Sequence, residues 1–134
     1  MTKEEMNEYL ESIGGLESGF FTDRPPITDS GFFSVGLGWY PIIKDLIEDL
    51  IKLGWDKQLC QAKEKFGGLR FYINAGSDEI HKRIRLAEDQ SYEICEICGE
   101  KGELRTNIGW YTTLCNKHYE KHKSDIQKQQ TPNG

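Results

Sequence analysis

Hydrophobic positions along the chain recur with two periods, and the switches between them mark the elements. Met6, Tyr9, Leu10 and Ile13 recur at helical spacing behind Thr2, and Glu5 completes a capping box with that threonine. Gly14-Gly15 stops the run, so the pattern predicts a short amphipathic helix over residues 3–13. A stronger helix follows Pro41, a residue favoured in a first turn. Its apolar stripe is Ile42, Ile43, Leu46, Ile47, Leu50 and Ile51; Lys44, Asp45, Glu48 and Asp49 take the other face, and Gly54 ends it. Ser77 caps a third helix, with Asp78 and Glu79 in the first turn where the helix dipole favours acids. Its inner stripe is Ile80, Ile84, Ala87, Ser91 and Ile94.

Between the second and third helices the period shortens to two. Residues 59–66 and 69–74 read as a hairpin turning on Gly67-Gly68. That turn sets a register. Phe66 stands opposite Leu69, Lys65 opposite Arg70, Glu64 opposite Phe71, Lys63 opposite Tyr72 and Ala62 opposite Ile73. One face then holds Cys60, Ala62, Phe66, Leu69, Phe71 and Ile73, which is a core face. The other holds Gln61, Lys63, Lys65, Arg70, Tyr72 and Asn74. Glu64 falls on the apolar face, so the pattern calls for a partner, Arg83 or Arg85, or for a bulge that moves the register by one.

Residues 15–40 follow neither period. Gly19-Phe20-Phe21 returns as Gly31-Phe32-Phe33, too irregularly for a structural repeat. A loop this aromatic is expected to pack on the core, with a lid or partner surface as the alternative.

At 134 residues, 37% hydrophobic and 29% charged, the chain belongs to the globular class and has the length of one domain. The net charge of −5 is unevenly spread: residues 1–94 carry −6 and residues 95–134 carry +1. That balance argues against a grip on duplex nucleic acid, which needs many phosphate contacts. No run approaches the roughly 20 apolar residues of a membrane span. The acidic start, Met1 to Glu5, differs from a secretory signal, so a cytoplasmic location is expected. Four cysteines in that setting read as metal ligands or buried thiols rather than disulfides.

Cys95-Glu96-Ile97-Cys98-Gly99 is a CxxC knuckle, and Cys115-Asn116-Lys117-His118 supplies a CxxH pair. Zinc takes four N/S ligands in a tetrahedron, and two such pairs provide them. Glu103–Thr106 and Trp110–Leu114 would form a hairpin between the pairs, and a helix would open at Cys115. Knuckle, hairpin and helix in that order resemble a treble clef, with zinc held by Cys95, Cys98, Cys115 and His118. His122, one turn on, is the alternative fourth ligand. Four protein ligands leave no open position, so the zinc would be structural. The treble clef also serves HNH nucleases, but they need an additional histidine on the hairpin, and none lies between Cys98 and Cys115.

The hairpin carries the other chemistry. Lys65 opposite Arg70 is a like-charge pair, locally unfavourable, on a face shared with Lys63 and Tyr72. Three cations beside a ring suit an anion with a flat group, such as a nucleotide. Trp39, Tyr40 and Trp55 flank the preceding helix and are expected to line the same cleft. The plain alternative is a solvated face whose cations pair with acids of neighbouring helices. Catalysis finds little support: no Ser or Cys has a base at motif spacing, and His81 sits in an exposed first turn. The chain is therefore expected not to be an enzyme.

Gly38-Trp39-Tyr40-Pro41, the segment Lys63–Tyr72, the knuckle and Trp110–His118 together resemble a group of small phage and bacterial proteins of unassigned function. The likeness covers about residues 38–118. It implies a phage accessory protein, acting in the host cytoplasm if phage-encoded. The expected architecture is α+β: helices on a small antiparallel hairpin sheet (1–94), a treble-clef zinc module (95–124) and a disordered tail (125–134). The expected function is non-catalytic binding of a small nucleotide-like anion, as an oligomeric sponge for a host immune signalling nucleotide. The alternatives are a zinc-dependent nucleic-acid regulator using Lys101, Arg105, Lys117, Lys121 and Lys123, or a protein inhibitor of a host factor.

Overall fold

The computed structural model describes residues 1–21 and 23–130, with side chains through residue 127. Four α-helices and two small sheets make up the described residues. Helix α1 (Lys3–Ser12) begins at the Thr2–Glu5 capping box, whose two hydrogen bonds are both formed, at 2.9 and 3.1 Å. Helix α2 (Tyr40–Lys52) has Pro41 in its first turn, and α3 (Asp78–Ser91) is capped by Ser77 Oγ, which accepts from Ile80 N. The apolar stripes of all three helices point inward, as their periodicity requires. Met6, Leu10, Ile43, Leu46, Ile47, Leu50 and Ala87 are completely buried in one core.

The sheet is where the structure departs from expectation. Strands β3 (Gln58–Lys65) and β4 (Gly68–Ile73) do form an antiparallel hairpin. However, β1 (Glu17–Ser18) and β2 (Phe33–Ser34) run parallel along the other edge of β3, so the sheet is mixed and four-stranded. The patternless loop thus covers an edge that would otherwise expose a row of unpaired amides. Its two Gly-Phe-Phe segments part company. Phe33 is buried, edge-on to Tyr40 at 6.1 Å, and Phe32 packs on the core. Phe20 is 70% exposed and Phe21 lies under Arg24, 4.3 Å from its ring.

The hairpin turns on Phe66-Gly67, one residue earlier than Gly67-Gly68. Phe66 (φ 53°) and Gly67 (φ 86°) both take left-handed backbone, the requirement of the tight turn that matches strand twist. Lys63 therefore faces Arg70, Ala62 faces Phe71, and Glu64 faces Leu69. A bulge at Cys60 then shifts the register by one, so that Leu59 pairs with Ile73. Phe66 consequently leaves the core face for the exposed tip, and Cys60 is half-buried at the bulge. Glu64 finds neither Arg83 nor Arg85. It accepts instead from Gly67 N at 2.6 Å and holds the turn, while Arg83 pairs with Asp49 at 2.7 Å.

Helix α3 closes the free edge of β4 with side chains. Ser91 Oγ accepts from Leu69 N at 2.9 Å, and Glu88 Oε2 accepts from Phe71 N at 3.0 Å. The C-terminal unit follows: the knuckle, strands β5 (Glu103–Arg105) and β6 (Thr112–Leu114), then α4 (Asn116–Gln130). Residues 125–130, expected as disordered tail, continue α4; residues 131–134 lie outside the described residues. Among the described residues no helix is long and apolar enough to cross a membrane.

Tyr9 gives the core a pH signature. Its hydroxyl is buried with no hydrogen-bond partner among the described residues. Burial, with Glu48 and Asp45 nearby, pushes the phenol up from the usual 10 to about 12. The unfolded chain loses this proton first, so stability present below pH 10 falls as the pH rises through 12. Tyr9→Phe removes both the orphan hydroxyl and the titration. It should be at least as stable as wild type at pH 7, by up to about 1 kcal/mol. Urea unfolding across pH 9–12 (roughly the phenol range) should show wild type losing stability faster than the variant; parallel curves would contradict this assignment.

Candidate functional site

Two features carry chemistry, and a shared packing interface joins them. The first is the cluster of Cys95, Cys98, Cys115 and His118, whose ligand atoms all lie within 4.8 Å of one another. Cys98 and Cys115 sulfurs are 3.7 Å apart. His118 Nδ1 stands 3.2 Å from Cys115 Sγ and 3.6 Å from Cys95 Sγ. Sulfurs about 2.3 Å from one tetrahedral centre would sit about 3.8 Å from each other, so the spacing suits a zinc ion. The donor set, three soft sulfurs and one imidazole nitrogen, fits the same metal.

Local backbone explains why these residues converge. Gly99 N donates to Cys95 O at 2.9 Å, closing the knuckle, and Cys95 N donates to Glu100 O at 2.7 Å. Cys115 ends the chain's return from β6, and the first turn of α4 carries His118 back over it. The His118 backbone N–H beside the Cys115 sulfur pulls that thiol down from its ordinary value. His122 is not part of the cluster. Its Nδ1 donates to His118 O at 2.9 Å and its ring lies against Trp110.

The knuckle is clamped to the body of the protein by backbone. Gly38 N donates to Glu96 O at 2.8 Å, and Gly36 N donates to Glu96 Oε2 at 2.8 Å. Burial raises the Glu96 carboxyl despite that second bond. Trp39 Nε1 donates to Ile94 O at 2.8 Å just before the knuckle. On the other side, Thr113 Oγ1 donates to Gly67 O at 2.7 Å in a buried bond, so β6 supports the hairpin turn.

The second feature is the outer face of the hairpin. Lys63, Lys65, Arg70 and Tyr72 share it, as the alternation of the strands predicts, although the facing pair is Lys63 with Arg70. The like-charge pair is therefore real but displaced by two residues along β3, from Lys65 to Lys63. Lys63 Nζ lies 5.8 Å from the Tyr72 ring and Lys65 Nζ 5.6 Å from the Phe66 ring. Among the described residues no carboxylate comes within ion-pair distance of Lys63, Lys65 or Arg70. Two donors of the Arg70 guanidinium are engaged, by Leu69 O at 3.1 Å and Tyr92 OH at 3.2 Å. Tyr92 reaches Arg70 across Gly68, where a Cβ would overlap its phenol ring.

Trp39 and Tyr40, expected beside these cations, are instead core residues, 0% and 2% exposed. Trp55 is buried against Phe71 at 5.9 Å. A large ring next to an amphipathic helix gains more from burial than from lining a wet face. Tyr92 was hidden from sequence reasoning because its role depends on the pairing of a distant hairpin; the side-chain-free Gly68 was the one trace of it. Arg105, assigned above to nucleic acid, is used internally by Leu114 O, Asn116, Glu103 and the Tyr119 ring.

A scan against protein-family models gave no match, and searches of curated proteins and of solved structures likewise gave none. The likeness to phage and bacterial proteins drawn from the hairpin and cysteine motifs thus gains no support from these comparisons.

The clamp yields a test. A Cβ at Gly38 would overlap Cys95 O and sit 2.6 Å from Gly99 N, both rigid backbone. Gly38→Ala should cost about 1–3 kcal/mol in urea unfolding, as overpacking does. A variant with wild-type stability would show that the body and the knuckle are not locked together.

Proposed function

We propose that the protein is a non-catalytic binding module in which a structural zinc supports a site for a small nucleotide-like anion. Cys95, Cys98, Cys115 and His118 would hold the zinc in a treble-clef-like unit, with no ligand position left for chemistry. The metal would fix the knuckle, β6 and the start of α4, and through Thr113 the hairpin turn. Lys63, Lys65, Arg70 and Tyr72 would take the anion. Trp39 and Tyr40 drop out of the expected set because they are buried.

The observation that carries this reading is Lys63 facing Arg70 on an outward strand face without an ion-paired acid among the described residues. Placing like charges opposite each other costs stability, and a bound anion removes that cost. Arg70 is held by Tyr92, so its remaining donors are already oriented for a phosphate. Tyr72, 42% exposed, offers a ring on which a base can stack. The setting proposed with it is a phage accessory protein that sequesters a host signalling nucleotide in the cytoplasm, and the motif resemblance alone supports that setting.

Calorimetric titration with adenosine triphosphate at low salt tests the site. Wild type should bind, and Lys63→Ala with Arg70→Ala should weaken binding at least about tenfold, two charged hydrogen bonds being lost. Zinc content and melting temperature should stay near those of wild type. No binding by wild type, or equal affinity in the double variant, would overturn the proposal.

A further inference from the structure

The outward face does not end at Lys65. Exposed rings continue it over the hairpin tip onto the C-terminal unit. In register order the outward positions are Tyr72 beside Gln61, Arg70 beside Lys63, then Lys65, then the turn residue Phe66. Phe66 is 64% exposed and meets Tyr111 edge-on at 6.5 Å; Tyr111 is itself 51% exposed. Neither ring belongs to a core cluster. Phe66 also occupies left-handed backbone, φ 53°, where a bulky residue is strained and Asn, Asp or Gly is usual. A solvent-exposed phenylalanine at a strained position adds nothing to either core cluster.

The spacing of this stripe says what it fits. From Gln61 to Lys65, the last residue of β3, the strand advances about 13 Å, at roughly 3.3 Å per residue, and the turn residue Phe66 follows. That is longer than one nucleotide. Lys63 and Lys65, two positions apart on one face, are separated by about 7 Å along the strand, comparable with successive phosphates of an extended single strand. Rings bound the cations at both ends. Alternating phosphate-binding cations and stacking rings is how proteins hold single-stranded nucleic acid without reading its sequence.

We infer that the hairpin face and Tyr111 form a continuous binding surface for a short single-stranded oligonucleotide, with phosphates on Lys63, Lys65 and Arg70 and bases stacked on Tyr72 and on Phe66 with Tyr111. This rests on the anion site proposed above and extends its ligand from one nucleotide to several. A duplex does not fit the same description, because its bases are already stacked and paired. The net charge of −5 is consistent with a local contact rather than a long backbone track.

The test measures affinity against length. Fluorescein-labelled oligothymidylates of two, four and eight nucleotides are titrated into the zinc-loaded full chain, with thymidine monophosphate as unlabelled competitor. Wild type should bind the tetranucleotide at least about tenfold more tightly than the monophosphate, one added stacked base being enough for that. Binding should weaken with salt with a log–log slope near −2, for about three phosphate contacts. Phe66→Asn combined with Tyr111→Ala should collapse the length dependence; Asn suits the turn, and a melting curve confirms that the variant is folded. Monophosphate binding with no gain from length would overturn this inference and leave the anion site standing. No binding of either ligand would overturn both. Equal affinity for a duplex of the same length, or an unchanged length dependence in the folded double variant, would also overturn it.

Discussion

The C-terminal unit has only a very small apolar core of its own. Its buried cluster is Cys95, Ile108 and Leu114, with Cys115, Tyr119 and Ile126 packed against them. Burying three such side chains is worth about 2 kcal/mol each, well below the entropy of ordering so long a segment. The two short strands pair over only three residues each. A metal ion held by Cys95, Cys98, Cys115 and His118 would supply what the core lacks, since binding free energy at such a site is folding free energy. Everything that touches the unit would then share that dependence.

What touches it is the part of the molecule with chemistry to offer. Gly38 N bonds the Glu96 carbonyl and Gly36 N the Glu96 carboxylate, and this fixes the entry to α2. Thr113 grips the carbonyl of Gly67, and this fixes the turn of the hairpin. The turn in turn sets which residues of β3 face β4, and so places Lys63 against Arg70. The path from the Cys/His cluster to the cationic face is short and consists of named hydrogen bonds. It gives a physical reason for that cluster and a basic hairpin to occur together in one small acidic protein.

Much of this was legible in the sequence because it is local. Thr2 with Glu5, Ser77 and Pro41 announce helix starts whatever the tertiary fold, and all three helices form. The convergence of the two Cys/His pairs is legible because their spacing is a property of the chain. The hairpin face was legible too, since alternation survives a slip of turn when the slip is matched by the pairing. The register was not. Two glycines in a row allow the turn at either place, and the choice fell to Phe66-Gly67 because Gly68 is needed beside Tyr92, a contact no local pattern encodes. The short parallel strands β1 and β2 were illegible for the same reason: two residues carry no period. Trp39 and Tyr40 are near the hairpin in sequence order only: the turn ahead of α2 and its first residue direct both rings into the core.

The central claim is that the three thiolates and His118 together bind one zinc ion with no solvent ligand. X-ray absorption at the zinc edge on the purified full chain tests it most directly. The account predicts a four-coordinate shell of three sulfurs at about 2.3 Å and one nitrogen at about 2.0 Å. A shell with fewer sulfurs, or one completed by water oxygen, would contradict it.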